Sequence, residues 1–102
     1  MPDVIRKEVI KLGYKISDEV LVKERGIIYE IIKFIKGCEK YSKRQIYFGP
    51  VLLENKNDLF NEKINKLIVK ENSILNKLPK GKIIDRIKIK LIIRKLSYEI
   101  KK

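Results

Sequence analysis

Catalysis starts from groups that titrate near neutrality, bind metals or attack electrophiles, and this sequence has few of them. It contains no histidine and a single cysteine, Cys38, so the commonest acid–base group and the commonest nitrogen ligand are both missing. One cysteine cannot close a disulfide within the chain, and together with the missing histidine it leaves too few ligands for a structural zinc site. Cys38 also has no imidazole to lower its pKa as a nucleophile. No glycine-rich phosphate loop is present. The one catalytic-looking pattern is Glu54-Asn55-Lys56 after the apolar run Val51-Leu52-Leu53, the acidic-x-Lys step of metal-dependent nucleases, with Asp18 or Glu30 as a second carboxylate for magnesium. In a chain that is 37% charged such a triplet arises readily, and it reads as solvated charge. The sequence therefore predicts a non-enzymatic protein with no cofactor and no metal.

Net charge is the stronger signal. The 25 basic and 13 acidic residues give +12, unevenly spread: residues 1–47 hold 11 basic and 7 acidic side chains, residues 56–102 hold 14 and 5. The excess lies in Lys77, Lys80, Lys82, Arg86, Lys88, Lys90, Arg94 and Lys95, continuing into Lys101 and Lys102. Such a stripe can neutralise phosphates and give salt-dependent, sequence-independent nucleic-acid binding. Lysine outnumbers arginine in it, which disfavours bidentate base readout. The same run on an amphipathic helix suits an anionic membrane surface, but its apolar positions are broad enough to be core.

These residues need elements to position them, and the chain's internal similarity suggests which. Displacing the sequence by 55 residues aligns 1–47 with 56–102 without a gap, giving ten identities where composition alone gives about five. Asp3 meets Asp58, Leu12 meets Leu67 and Gly26 meets Gly81. Each copy opens with a candidate N-cap aspartate ahead of a helical apolar stripe, and Gly13 stands where a helix-ending glycine belongs. Second helices are expected over 27–36 and 82–100. Isoleucine is discounted as a strand signal because the whole composition is isoleucine- and lysine-rich. Between the copies, Phe48-Gly49-Pro50-Val51-Leu52-Leu53-Glu54-Asn55 is too apolar for a flexible linker, and 45–53 is the best strand candidate.

The predicted fold class is mainly α, or α+β if a short strand forms near 45–53, with two similar helix-turn-helix-like motifs in tandem and packed with pseudo-two-fold symmetry. The organisation is repeat unit 1 at 1–47, an apolar connector at 48–55 and repeat unit 2 at 56–102, in one compact domain, because a unit of under about 50 residues buries too little surface to fold alone. No apolar run approaches the roughly 20 residues that span a bilayer. With no secretory leader pattern, an intracellular protein is expected.

The connector precedes only the second copy, so pseudo-symmetric packing leaves its counterpart position beside the first copy unfilled. The leading functional expectation is protein–protein interaction: a lysine-rimmed groove between the two units, lined by Ile28, Ile32, Phe34, Phe48 and Leu52, that accepts a protein or peptide segment. The alternative is nucleic-acid binding through the basic face of unit 2.

The isoleucine and lysine bias, small size and absent histidine make the chain resemble the small orphan proteins of filamentous viruses of hyperthermophilic archaea, of the Acidianus filamentous virus type. That resemblance implies a thermophilic host, a location in the host cytoplasm or the virion, and no assigned activity.

Overall fold

The computed structural model describes residues 2–100; Met1, Lys101 and Lys102, the last two forming the end of the basic run, lie outside the described residues. The chain divides into two compact units, 1–59 and 60–102.

The first unit opens with helix α1 (Pro2–Lys11). Pro2 supplies a pre-set φ at the first helical position, while Asp3 in the first turn and Lys11 in the last complement the helix dipole. Gly13, at φ +92°, ends the helix as expected. Its carbonyl accepts the Gly37 N–H at 3.0 Å, tying the helix exit to the far end of the element that follows.

That element is an antiparallel hairpin of β1 (Tyr14–Glu24) and β2 (Ile27–Lys36). The turn residues Arg25 and Gly26 both have positive φ, +51° and +81°, the backbone of a two-residue loop whose twist matches the flanking strands. Residues 27–36 are thus a strand and not the expected second helix. Ile27-Ile28-Tyr29-Glu30-Ile31-Ile32-Lys33-Phe34-Ile35 carries apolar residues on both faces, the pattern of a strand inside a sheet, and the tight turn fixes its register against β1. Isoleucine's β-propensity, discounted as compositional, operates here.

Between the pairs Ile16↔Phe34 and Asp18↔Lys33 the strand carries one extra residue, Ser17, a β-bulge. Side chains alternate in a strand, so an uninterrupted β1 would put Asp18 and Val20 on the face of Ile16. The bulge inverts the parity and brings buried Glu19 and Leu21 to that inner face instead.

Residues 45–53 form no strand. Ser42 accepts the Gln45 N–H at 3.1 Å and the Gln45 side chain accepts the Ser42 N–H at 2.9 Å, a capping box that starts helix α2 (Lys43–Phe48). Gly49 ends it, and Pro50 stands in the first turn of the short helix α3 (Pro50–Glu54). Local capping outweighs the apolar run's strand propensity. The inner face of the hairpin, α1, α2 and α3 form the core of the first unit, with Ile16, Leu21, Phe48 and Leu52 buried.

The second unit comprises most of α4 (Asp58–Lys77) and all of α5 (Ile83–Ile100). Arg86, at the start of α5, donates from Nη1 to the carbonyls of Leu75 and Leu78 at 3.2 and 3.5 Å. The Leu75 carbonyl also accepts the Leu78 N–H at 3.3 Å, so the guanidinium is a further donor at the helix end, where the last carbonyls lack partners within the helix. Phe60, Ile64 and Leu96 are the buried apolar residues of this unit.

The architecture is therefore mostly helical with one antiparallel hairpin, an α+β arrangement. Two similar helix-turn-helix motifs with pseudo-two-fold symmetry are not what forms. Residues 2–36 make a helix and a hairpin, whereas the stretch aligned with them, 57–91, makes α4 and the first half of α5. The alignment scored residue types that a biased composition supplies twice, while the turn at Lys80-Gly81, closed by the Lys82 N–H on the Pro79 carbonyl, lacks the positive φ of Arg25 and Gly26.

Candidate functional site

The most concentrated polar chemistry in the chain is a buried cluster around Arg6. The side chain projects from α1 and is wholly buried. Nε donates to Glu19 Oε2 at 2.7 Å, Nη2 to Glu30 Oε2 at 2.8 Å, and Nη1 to the Ile46 carbonyl at 3.2 Å and the Tyr47 carbonyl at 3.5 Å. Glu19 uses its other oxygen, Oε1, to accept the N–H groups of Val51 and Leu52 at 2.8 and 3.3 Å, filling the role of a cap at the start of α3. One guanidinium thus joins α1, both strands and the end of α2, and one carboxylate carries the connection on to α3. Buried charge is tolerated only when paired and fully hydrogen-bonded, and the planar fork of arginine is what reaches several acceptors at once.

Gly49 sits against this cluster at φ +98°. A Cβ added there would lie 2.6 Å from Arg6 Nη2 and 2.7 Å from Glu19 Oε1. The backbone of Gly49 is therefore packed flush on the ion pair. The side chains of Arg6 and Glu19 are closed to solvent, so the cluster holds the fold together and offers nothing to a substrate.

Beside it, the Tyr41 hydroxyl accepts the Ile16 N–H at 2.8 Å. Burial, then a hydrogen bond to Glu39, raises the Tyr41 pKa above its ordinary value.

The nuclease-like residues do not assemble. Glu54 ends α3, exposed to solvent, Glu30 is engaged by Arg6, and among the described residues no group of three or more acidic, cysteine or histidine side chains is placed to hold a metal. Cys38 is exposed.

The residues expected to line a groove all belong to the first unit. Ile28, Ile32 and Phe34 are half-buried on the β2 face that carries Glu30, and Phe48 and Leu52 are buried in α2 and α3. Of the basic residues, Lys77 ends α4, and Lys80 and Lys82 lie in the connection to α5, all exposed. Arg86 is half-buried and committed to the end of α4. Lys88, Lys90, Arg94 and Lys95 are exposed on α5, where helical spacing stacks Lys88 with Lys95 and Lys90 with Arg94 along the helix. Among the described residues no helix is long and apolar enough to cross a membrane.

The Arg6 cluster escaped the sequence reading because a buried arginine looks like any other basic residue until its partners, 13 to 41 positions away, are known. One signal was available: Arg6 lies on the apolar side of α1, between Ile5 and Val9.

The described residues thus comprise a helix and an antiparallel hairpin locked by a buried arginine in the first unit, and two helices in the second. This arrangement recurs in methyltransferases. A Streptococcus pneumoniae protein solved as a candidate tRNA (m1A22) methyltransferase superposes with a TM-score of 0.92 at 25% identity, over 97% of this chain and 45% of its own. A Streptococcus agalactiae protein of the NADB-Rossmann superfamily superposes with a TM-score of 0.89 at 26% identity, over 97% of this chain and 43% of its own. The Streptococcus pneumoniae protein in complex with S-adenosyl-L-methionine superposes with a TM-score of 0.85 at 24% identity, again over 97% of this chain. The TrmK family model, tRNA (adenine(22)-N(1))-methyltransferase, matches residues 1–100, and the chain belongs to that family. It spans a little under half the length of these solved relatives. No match was found among curated protein sequences.

Family membership overturns four expectations. The resemblance to orphan proteins of archaeal filamentous viruses fails, because isoleucine and lysine bias reports composition and not descent. The non-enzymatic reading fails, because the family is one of enzymes; the missing histidine excluded only those chemistries that need an imidazole. The peptide-binding groove fails as the function, and with it the description as a thermophilic viral interaction protein built on an internal repeat.

Proposed function

We propose that this chain is the part of a tRNA adenine-N1 methyltransferase that holds the tRNA, through the exposed cations of α5. The single observation that carries the reading is the set Lys88, Lys90, Arg94 and Lys95, all solvent-facing on one 18-residue helix, in a chain belonging to a tRNA-modifying family. Adenine N1 lies on the Watson–Crick edge, so an enzyme that methylates it must free that base from its stack and pair. Freeing one base while keeping hold of the rest calls for contacts to the phosphate backbone. Lysines act there as point charges without reading sequence, which leaves the choice of nucleotide to other parts of the enzyme.

The described residues do not fit S-adenosyl-methionine. Cofactors of that shape sit in the crevice beyond the carboxyl ends of parallel strands, at a glycine-rich turn into a helix. Here the sheet is a two-stranded antiparallel pair, and the glycine that precedes a helix, Gly49, has its open side filled by Arg6 and Glu19. Methyl transfer is therefore assigned to the part of the fold that this chain does not span.

Filter binding of the chain to unmodified bulk tRNA, with duplex DNA of equal length as competitor, tests the reading. Saturable binding to tRNA that weakens with salt and survives the competitor supports it. Equal displacement by duplex DNA would reduce the interaction to general polyelectrolyte attraction, and absence of binding at low salt would reject it.

A further inference from the structure

Burial divides α5 lengthwise. One side carries Arg86, Ile89, Ile92, Ile93 and Leu96, half-buried or buried. The other carries Ile84, Ile87, Leu91 and Tyr98, at successive spacings of three, four and seven residues that keep them on a single stripe. All four are 50 to 71% exposed. Single apolar residues on a surface are ordinary, but a row of large ones marks a place where something binds.

The cations of α5 are arranged around this stripe. Helical spacing sets Lys88 and Lys95 along one margin and Lys90 and Arg94 along the other. Of the two carboxylates on the helix, Asp85 falls outside the stripe and its margins and Glu99 is buried. That distribution selects the occupant. A second copy of the helix would set cations against cations. An RNA duplex would meet the stripe with phosphates and, in its wide shallow groove, with 2′-hydroxyls. Aliphatic side chains give those groups no hydrogen bond, and desolvating them costs free energy. An unpaired strand differs: its phosphates can follow the charged margins while its unstacked bases lay their apolar faces on the stripe, where Tyr98 offers a ring.

We propose that the exposed face of α5 is a site for unpaired RNA. Ile84, Ile87, Leu91 and Tyr98 receive the faces of unstacked bases, and Lys88, Lys90, Arg94 and Lys95 hold the phosphates on either side. The inference rests on the assignment of tRNA holding to α5 and narrows it, from the tRNA backbone at large to a loop or an opened stretch.

The test is fluorescence anisotropy with the 102-residue chain and labelled probes carrying equal numbers of phosphates: oligouridine, a blunt RNA duplex and an abasic strand. Charge alone favours the duplex, whose phosphates are more closely spaced, so a preference for oligouridine does not come from the cations. Oligouridine should bind about tenfold tighter than either of the other probes. Ile87→Ser and Leu91→Ser should each remove most of that preference, while the melting temperature and the slope of log affinity against log salt stay unchanged. Equal affinity for oligouridine and the abasic strand, or tighter binding of the duplex, overturns the proposal, and does so on the unsubstituted chain whatever becomes of the variants. Partition onto phosphatidylglycerol vesicles that Ile87→Ser abolishes would assign the stripe to a lipid surface, and dimerisation that it abolishes would assign the stripe to a second copy; either overturns the proposal. Absence of the preference with salt-dependent tRNA binding retained rejects this inference and spares the wider reading, whereas failure to bind tRNA at all removes both.

Discussion

Arg6 Nε lies 2.7 Å from Glu19 Oε2, and both side chains are sealed from solvent. The contact joins α1 to β1, and through Glu19 Oε1 it reaches the first turn of α3. A pair of this kind contributes less by its attraction than its loss costs, because the surviving charge is left buried and unpaired.

Arg6→Met should therefore destabilise the chain by about 3–5 kcal/mol, measured by urea unfolding at neutral pH. Arg6→Lys should recover only part of the loss, since a single ammonium cannot reach from Glu19 to Glu30 and the Ile46 carbonyl together. Equal losses for Met and Lys would contradict the electrostatic account.

Gly49→Ala should be costly for two separate reasons. The backbone is at φ +98°, where an L side chain is strained by about 1–3 kcal/mol, and the new methyl would press on Arg6 and Glu19, neither of which can move without breaking the cluster. The parallel change Gly81→Ala meets no atom within 4 Å and should leave the melting temperature nearly unchanged.

Arg25 occupies the left-handed region at φ +51°, a conformation that costs a side chain with a Cβ roughly 1–2 kcal/mol and that asparagine and glycine tolerate. Arg25→Asn, which creates the Asn-Gly pair favoured in such turns, should raise stability by up to about 1 kcal/mol in thermal unfolding. A loss of stability would mean that the arginine side chain makes a contact worth more than the turn strain.

Tyr41 gives an alkaline prediction. Its pKa is raised in the folded chain, first by burial and then by the bond to Glu39, so the folded state favours the protonated phenol. The stabilisation it contributes is complete below the ordinary tyrosine pKa of about 10 and is lost as pH climbs through the higher folded value. Phenolate absorbance should show one tyrosine titrating later than the others, and Tyr41→Phe should remove that late step.

The exposed cations of α5 are testable by salt dependence. Converting Lys88, Lys90, Arg94 and Lys95 one at a time to glutamine should weaken tRNA binding, and each change should reduce the slope of log affinity against log salt by about one where the cation meets a phosphate. Arg86→Gln should behave differently: its guanidinium serves the end of α4, so stability should fall while the slope stays unchanged.

How far the sequence reached is clearest in three places. The helix from Asp3 ending at Gly13, the helix over 82–100 and the charge excess of the second half were legible, because each follows from local spacing, a single residue's backbone freedom or a count. The helix expected over 27–36 was wrong for want of a partner: Ile31-Ile32-Lys33-Phe34-Ile35 has no strict period, and only pairing with β1 through the Arg25-Gly26 turn makes it a strand. The strand expected near 45–53 was wrong because the capping box at Ser42 and Gln45 and the Gly49-Pro50 step were passed over in favour of apolar content. The apparent repeat misled, since matched residue types in a lysine- and isoleucine-rich chain do not imply matched structure.

The sequence by itself determined the composition-level properties and the strongest local signals: the charge, the lack of imidazole chemistry, and the helices that open at Asp3 and run over 82–100. Tertiary structure alone decided that Arg6, Glu19, Glu30 and Gly49 belong to one cluster, and that the bulge at Ser17 turns Glu19 inward to meet them. The reason is physical. Local propensities act over a few residues and can be read in order along the chain, whereas a buried charge is stabilised only by partners that folding brings from elsewhere, and the cost of burying it is invisible until they arrive.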